Sequence, residues 1–142
     1  MNGFLVDTNV LSELARPEPE PAVVAWVGGV DAPLLFLSVL TLGELQKGIS
    51  AHPDANRRAR LSAWVDGTLR PWFDRRVLPV DRAVAERWGA LSGVASRAGR
   101  PLPVIDGLLA ATALHHGLTL VTRNVADVAA TGTSVLCPWP DG

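Results

Sequence analysis

Five oxygen-bearing residues recur at one kind of place in this chain. Asp7 closes the apolar run Phe4-Leu5-Val6, and Glu44 lies about a turn into the helix expected after Leu34-Leu35-Phe36-Leu37. Asp106 opens the pattern Val104-Ile105-Asp106 ahead of an Ala-rich helix, and Asn124 and Asp127 follow the run Leu118 to Thr122. Short apolar runs of this kind read as strands buried on both faces. In a parallel sheet the strand-to-helix junctions share one edge, so these groups can converge on one cleft. Carboxylates packed together repel and raise each other's pKa, and a divalent cation relieves that repulsion. Oxygen donors without His or Cys suit a hard ion, Mg²⁺ or Mn²⁺, which keeps several waters and completes its shell with substrate phosphate. The chemistry indicated is phosphodiester cleavage.

Each residue also has a plainer explanation. Asp7 and Asp106 can serve as helix N-caps, Asn124 can cap a short helix, and Asp127 can be a solvated first-turn acid. Thr41 and Glu44 match the Thr-x-x-Glu spacing of a capping box. Capping accounts for an acid at each junction, but not for one a turn inside a helix otherwise carrying Leu42, Leu45 and Ile49.

The elements that must position these groups alternate between strand and helix. Strands are expected at residues 4–6, 34–37, 77–80, 118–122 and 134–137, with Pro79 confining the third to an edge or end. Helices are expected from Val10 to Ala15, Ala22 to Val27, around Leu42 to Ile49, over Arg57 to Leu69 where Pro71 stops it, over about 82–98 with Asp81 as N-cap, and from Asp106 to a C-terminal Gly117. Repeats, low-complexity tracts and domain linkers are absent from the pattern, so residues 1–142 read as one α/β domain with helices on both faces of a mostly parallel sheet.

The totals fit this reading. A chain of 142 residues with 48% hydrophobic and 19% charged residues can bury one sizeable core. The formal net charge of -1 excludes a polycation, so contact with nucleic acid needs a local basic patch, a bound metal or a partner. A single cysteine, Cys137, excludes an intrachain disulfide framework and a Cys-rich zinc site. The N-terminus lacks a signal-peptide pattern and no apolar run reaches spanning length, so a soluble cytoplasmic protein is the default expectation.

At the acidic residues the chain resembles a known family. FLVDTNVLSEL, LSVLTLGELQKGI, VIDGLLAATAL and LTLVTRNVADV resemble, in order, the four motifs of PIN-domain ribonucleases, and more narrowly the VapC-type toxins of toxin–antitoxin pairs. RPEPEPAVVAWV, LPVDRAVAERWG and the ending CPW are similar to the FitB-like branch. The resemblance implies a three-layer α/β/α fold, a homodimer, and Mg²⁺- or Mn²⁺-dependent endonuclease action on RNA. It implies metal ligation by Asp7, Glu44 and Asp106, a fourth position filled by Asn124 or Asp127, and restraint by a small DNA-binding antitoxin. Thr8, Asn9 and Thr122 are candidates to orient ligands, and Arg16, Lys47 and Arg123 to meet phosphate.

Other residues point away from the chemistry. Arg57, Arg58 and Arg60 read as a solvated helix face. Trp26, Trp64 and Trp88 read as core, while Trp72 and Trp139 lie in loop-like contexts suited to an interface. His52, His115 and His116 lack metal-ligand spacing. A dehalogenase-like phosphatase needs a second Asp two residues after the first, where this chain has Asn9. The remaining alternative is a catalytically impaired PIN-fold module that binds RNA or regulates, which the uncharged Asn124 would suit.

Overall fold

Leu5 and Val6 are adjacent, fully buried, and belong to two different cores. That alternation is the signature of a strand covered on both faces. The structure, a computed structural model, describes residues 2–140; residues 1, 141 and 142 of the expected domain lie outside them. Five strands, β1 (Phe4–Val6), β2 (Leu35–Ser38), β3 (Val77–Leu78), β4 (Thr119–Val121) and β5 (Val135–Leu136), form a sheet in the order β3-β2-β1-β4-β5. Every pairing is parallel, with Leu5 opposite Phe36 on one side and Leu120 on the other. β1 is therefore central, and the chain crosses to opposite sides of it in its two halves.

One face of the sheet is covered by α1 (Thr8–Leu14), α2 (Pro21–Gly28), α3 (Val39–Ala51), α4 (Ala55–Trp64) and α5 (Arg70–Phe73). Its core joins Val6, Leu35, Leu37 and Val121 of the strands to Val10, Leu11, Val23, Leu69 and Phe73. The other face carries α7 (Val104–His116) and α8 (Val125–Val128), with Leu109, Ala110 and Ala113 against Leu5 and Leu120. α6 (Arg82–Arg97) packs on α7 as an outer helix. This is the three-layer α/β/α arrangement expected from the alternation of strand and helix.

Several local expectations hold. Asp81 caps α6 by accepting the Val84 N–H at 3.0 Å, and Gly117 ends α7 with φ 66°, a left-handed conformation that glycine adopts without steric cost. β3 lies at the sheet edge, where Pro79 beyond it costs no ladder bond.

The stretch read as one helix over Arg57 to Leu69 is different. α4 ends at Trp64, Val65 to Leu69 form a π turn with the Arg70 N–H bonded to the Val65 carbonyl, and α5 follows directly. Pro71 thus lies just past the π turn, at the second residue of α5, and does not end the helical run. Arg57 and Arg58 are half-buried and not fully solvated: they donate to the carbonyls of Ala15 at 3.4 Å and His52 at 2.5 Å, tying α4 to the ends of α1 and α3.

Candidate functional site

Asp7 lies one residue past β1, yet its backbone N–H still bonds Val121 O at 2.9 Å. Thr122 lies one residue past β4, with its N–H on Leu136 O at 3.0 Å. The sheet ladder therefore fixes both backbones and sets both side chains at the carboxyl edge. There the Thr122 hydroxyl donates to Asp7 Oδ2 at 2.7 Å, and the Thr8 N–H donates to Asp7 Oδ1 at 2.7 Å. Asn9 Nδ2 reaches Asp7 Oδ2 at 3.5 Å and Thr122 Oγ1 at 3.3 Å, while its Oδ1 accepts the Arg123 N–H at 3.4 Å. Asp7 does cap α1, but a carboxylate oxygen has two lone pairs, so Oδ1 keeps acceptor capacity beyond the capping bond.

Glu44 is not part of a capping box. Ser38 caps α3 through the Leu40 N–H at 3.0 Å, and Glu44 Oε1 instead accepts the Thr8 hydroxyl at 2.6 Å. Thr41 is fully buried and its hydroxyl has no partner among the described residues. Asp106 is not an N-cap either: α7 starts at Val104 without a side-chain cap, and Asp106 projects from its first turn. Next to it, a Cβ on Gly107 would stand 2.8 Å from Leu102 Cδ2 and 3.0 Å from Trp88 Cδ1, so a glycine lets α7 lie close to α6 and the loop before it. Asn124 occupies the N-cap position of α8 but makes no capping bond with its side chain.

Asp7, Glu44, Asp106 and Asn124 line one cleft of about 500 Å³, together with Thr8, Asn9, Ser12, Glu13, Arg16, Arg123 and Trp139. Asp127 stands outside this cleft, in the neighbouring groove along α6, but reaches Asp106 from behind. Lys47 lines a second adjoining groove with Thr8 and Glu44. Of the three basic residues proposed for phosphate, Arg16 and Arg123 thus border the acidic cleft and Lys47 does not.

The carboxylates feel one another. Burial pushes the Asp7 carboxyl above its ordinary range, against the opposing hydrogen bonds from Thr122 and Thr8. The Asp106 carboxyl is pushed up to about 6, first by burial, then by the charges of Asp7 and Asp127, by a hydrogen bond to Asp127, and by Glu44. The ion pairs among the described residues are Arg16–Glu13, Arg70–Asp66 and Arg82–Glu86, and none reaches Asp7, Glu44 or Asp106. Among the described residues no three His, Cys, Asp or Glu side chains close into a ready cage for an ion. Asp7, Glu44 and Asp106 surround the cleft instead, which suits an ion bound through one or two carboxylates with water filling the rest of its shell.

Three members of the cleft, Ser12, Glu13 and Trp139, are not among the site residues that the sequence suggests. Glu13 is buried, and its signal was available: like Glu44, it is an acid inside a helix and adjoins apolar residues, here Val10, Leu11 and Leu14. The sequence puts Trp139 in a loop-like context suited to an interface. The structure buries it at 6% exposure, with the Arg123 guanidinium 5.0 Å above its ring. Trp26, Trp64 and Trp72 pack against the core, and no helix among the described residues is long and apolar enough to cross a membrane.

With this geometry in view, the chain can be placed among known proteins. It is 36% identical to the VapC ribonuclease Y4jK of Sinorhizobium fredii over 96% of this chain and 97% of that protein. It is 34% identical to the toxin FitB of Neisseria gonorrhoeae over 97% of this chain and 99% of that one. The crystal structure of FitAcB from Neisseria gonorrhoeae superposes with a TM-score of 0.91 at 34% identity, covering 96% of this chain and 99% of that chain. The PIN domain family model matches residues 4–126, which include all the acidic residues discussed except Asp127. A chain that matches over this length, in sequence and in fold, belongs to the PIN-domain family.

Proposed function

We propose that this chain is a Mg²⁺- or Mn²⁺-dependent endoribonuclease that acts as the toxin of a toxin–antitoxin pair. The observation that carries the reading is the convergence of Asp7, Glu44 and Asp106 on one cleft, with no ion pair to offset their charge among the described residues. The similarity to proteins named as a ribonuclease and a toxin supports it. When bound, a hard divalent ion supplies charge neutralisation and an acidified water at the phosphate.

The chain's own residues do the positioning. Asp7 and Asp106 would hold the ion, with Glu44 approaching from the Thr8 side. The Thr122 and Thr8 hydroxyls each give their single proton to a carboxylate, so Asp7 and Glu44 keep fixed orientations before substrate arrives. Together these acids argue against the impaired-module alternative, for which Asn124 is the sole motive. A cognate DNA-binding antitoxin, supported by the likeness to a structure of FitAB bound to a DNA fragment, and a homodimer belong to the same proposal.

The test is cleavage of a defined RNA by the purified protein with Mg²⁺ or Mn²⁺, its loss on EDTA treatment, and its return when the ion is restored. Cleavage that continues in excess EDTA would sink the metal-dependent reading. Growth arrest on induction, relieved by a co-expressed antitoxin, tests the toxin role.

The fourth position yields a separate prediction. Asn124→Asp adds a carboxylate inside the cleft and should lower the Mn²⁺ concentration for half-maximal cleavage. Asp127→Ala removes charge behind Asp106 and should raise it, each by about two- to fivefold on the scale of a solvent-screened charge pair. If neither variant shifts the Mn²⁺ titration, these positions do not help to hold the ion.

A further inference from the structure

Glu13 is a buried charge that the cleft chemistry above does not use. It is 6% exposed on α1 and borders the acidic cleft. A buried carboxylate is tolerated only when its oxygens are satisfied. Here Oε2 accepts the Glu20 N–H at 3.0 Å, both oxygens face Arg16 Nη1 at 3.4 Å, and the Trp139 indole donates as well. The Glu20 N–H, with help from Arg16 and Trp139 and against burial, holds the Glu13 carboxyl below its ordinary range, so it stays ionised. Three separate segments meet at this anion: α1, the Pro-rich connector before α2, and the stretch after β5.

What the anion holds is informative. The Arg16 side chain is 63% exposed and lines the cleft. The Trp139 ring is the plate beneath Arg123, which lines the cleft as well. One buried carboxylate thus fixes two guanidinium groups at the rim of a cleft floored by acids. A guanidinium matches phosphate with a planar fork of donors, and one that is already held loses less freedom on binding.

We infer that Glu13 is a positioning residue that presets Arg16 directly, and Arg123 through the Trp139 indole, as a seat for a backbone phosphate of RNA. The inference rests on the ribonuclease reading above. Glu13 itself does not touch the substrate; it decides where the two arginines wait for it.

Glu13→Gln keeps an acceptor for the Glu20 and Trp139 donors but removes the charge that holds Arg16. Arg16→Ala removes one prong at an exposed position. The measurements are binding of a short fluorescent 2′-O-methyl RNA, which resists cleavage, across a NaCl series, and kcat and KM on unmodified RNA with Mn²⁺. Each variant should weaken binding about two- to fivefold. Each should flatten the slope of log affinity against log salt by about 0.7 for every phosphate that is no longer neutralised. The loss in kcat/KM should fall on KM, and the double variant should be no worse than the weaker single one, since the pair acts as one unit.

A wild-type salt slope in Glu13→Gln, a loss confined to kcat, or additive effects would overturn the proposal while leaving the ribonuclease reading intact. A wild-type protein that neither binds nor cuts RNA would overturn both. If Glu13→Gln does not fold, Arg16→Ala and Arg123→Ala, both at exposed positions, carry the slope test: unchanged slopes in both reject the seat.

Discussion

Asp106→Asn is expected to cut RNA cleavage by about 10²–10³-fold, the scale of losing one fixed charge-stabilising group, while making the metal-free protein more stable at neutral pH. The two effects have one origin. Asp106 sits among Asp7, Asp127 and Glu44, and its carboxyl is pushed up to about 6 from an ordinary 3.8. Between those values the native state holds a proton that the unfolded chain has released, so stability falls as pH rises through this window. Below it both states are protonated and no penalty exists; above it the penalty is complete. Asparagine removes the charge and therefore the penalty, worth about 1 kcal/mol once discounted for the solvent around a half-buried side chain. Thermal melts of wild type and Asp106→Asn in EDTA should coincide near pH 3.5 and separate up to about pH 6, with the variant the more stable. Mn²⁺ should then stabilise wild type, by about 2.7 kcal/mol at a hundredfold excess over its dissociation constant, and the variant far less. A variant that melts like wild type at every pH, or still cuts RNA at the wild-type rate, would remove Asp106 from the site. Because Asp106 caps nothing, loss of the fold is not an expected route to inactivity.

Leu109→Ala should be far more destabilising, at about 4–5 kcal/mol, the upper end of the range for leucine truncation. Leu109 is fully buried one turn beyond Asp106, between α7 and the sheet, against Leu5, Leu118, Leu120 and Val128. Ala110 and Ala113 already hold the α7 backbone close to the strands, so there is little slack for neighbours to collapse into the space left. Such a loss is a third or more of the stability of a typical domain. Denaturant titration should show a lower midpoint with an unchanged slope. A cost below about 1 kcal/mol would mean that the α7 seam relaxes freely and does not anchor Asp106 as rigidly as the packing indicates.

What the sequence disclosed follows from which interactions are local. Asp7, Glu44 and Asp106 were readable because each follows an apolar run, and the parallel-sheet rule then places their junctions along one edge. The direction of the sheet followed from the alternation of strand and helix, but its order, with β1 central, did not: nothing in a run such as Phe4-Leu5-Val6 names its neighbours. The capping alternatives for Glu44 and Asp106 fell to details that spacing cannot supply, namely Ser38 as the actual cap and a helix beginning two residues early at Val104. Glu13 and Trp139 escaped because what holds them is remote in the chain: Glu13 meets Glu20 across the Pro-rich connector and Trp139 across the whole fold. Pro71 reads as a stop from its chemistry alone; only the π turn ahead of it shows how the chain passes through.

The central place of β1 has a consequence for how the protein is made. Synthesis delivers Asp7 and Glu44 early, on the half of the chain that builds β1, β2 and β3. A chain elongated only through α6 has no Asp106, no Thr122 on the Asp7 carboxylate, and a bare edge on β1 where β4 will pair. The rim is completed later still, when Trp139 reaches Glu13. On the ribonuclease reading proposed above, the nearest RNA during the protein's birth is its own message and the ribosome reading it. The threading of this sheet leaves the nascent chain without a complete cleft until Asp106, Thr122 and Trp139 have all been translated.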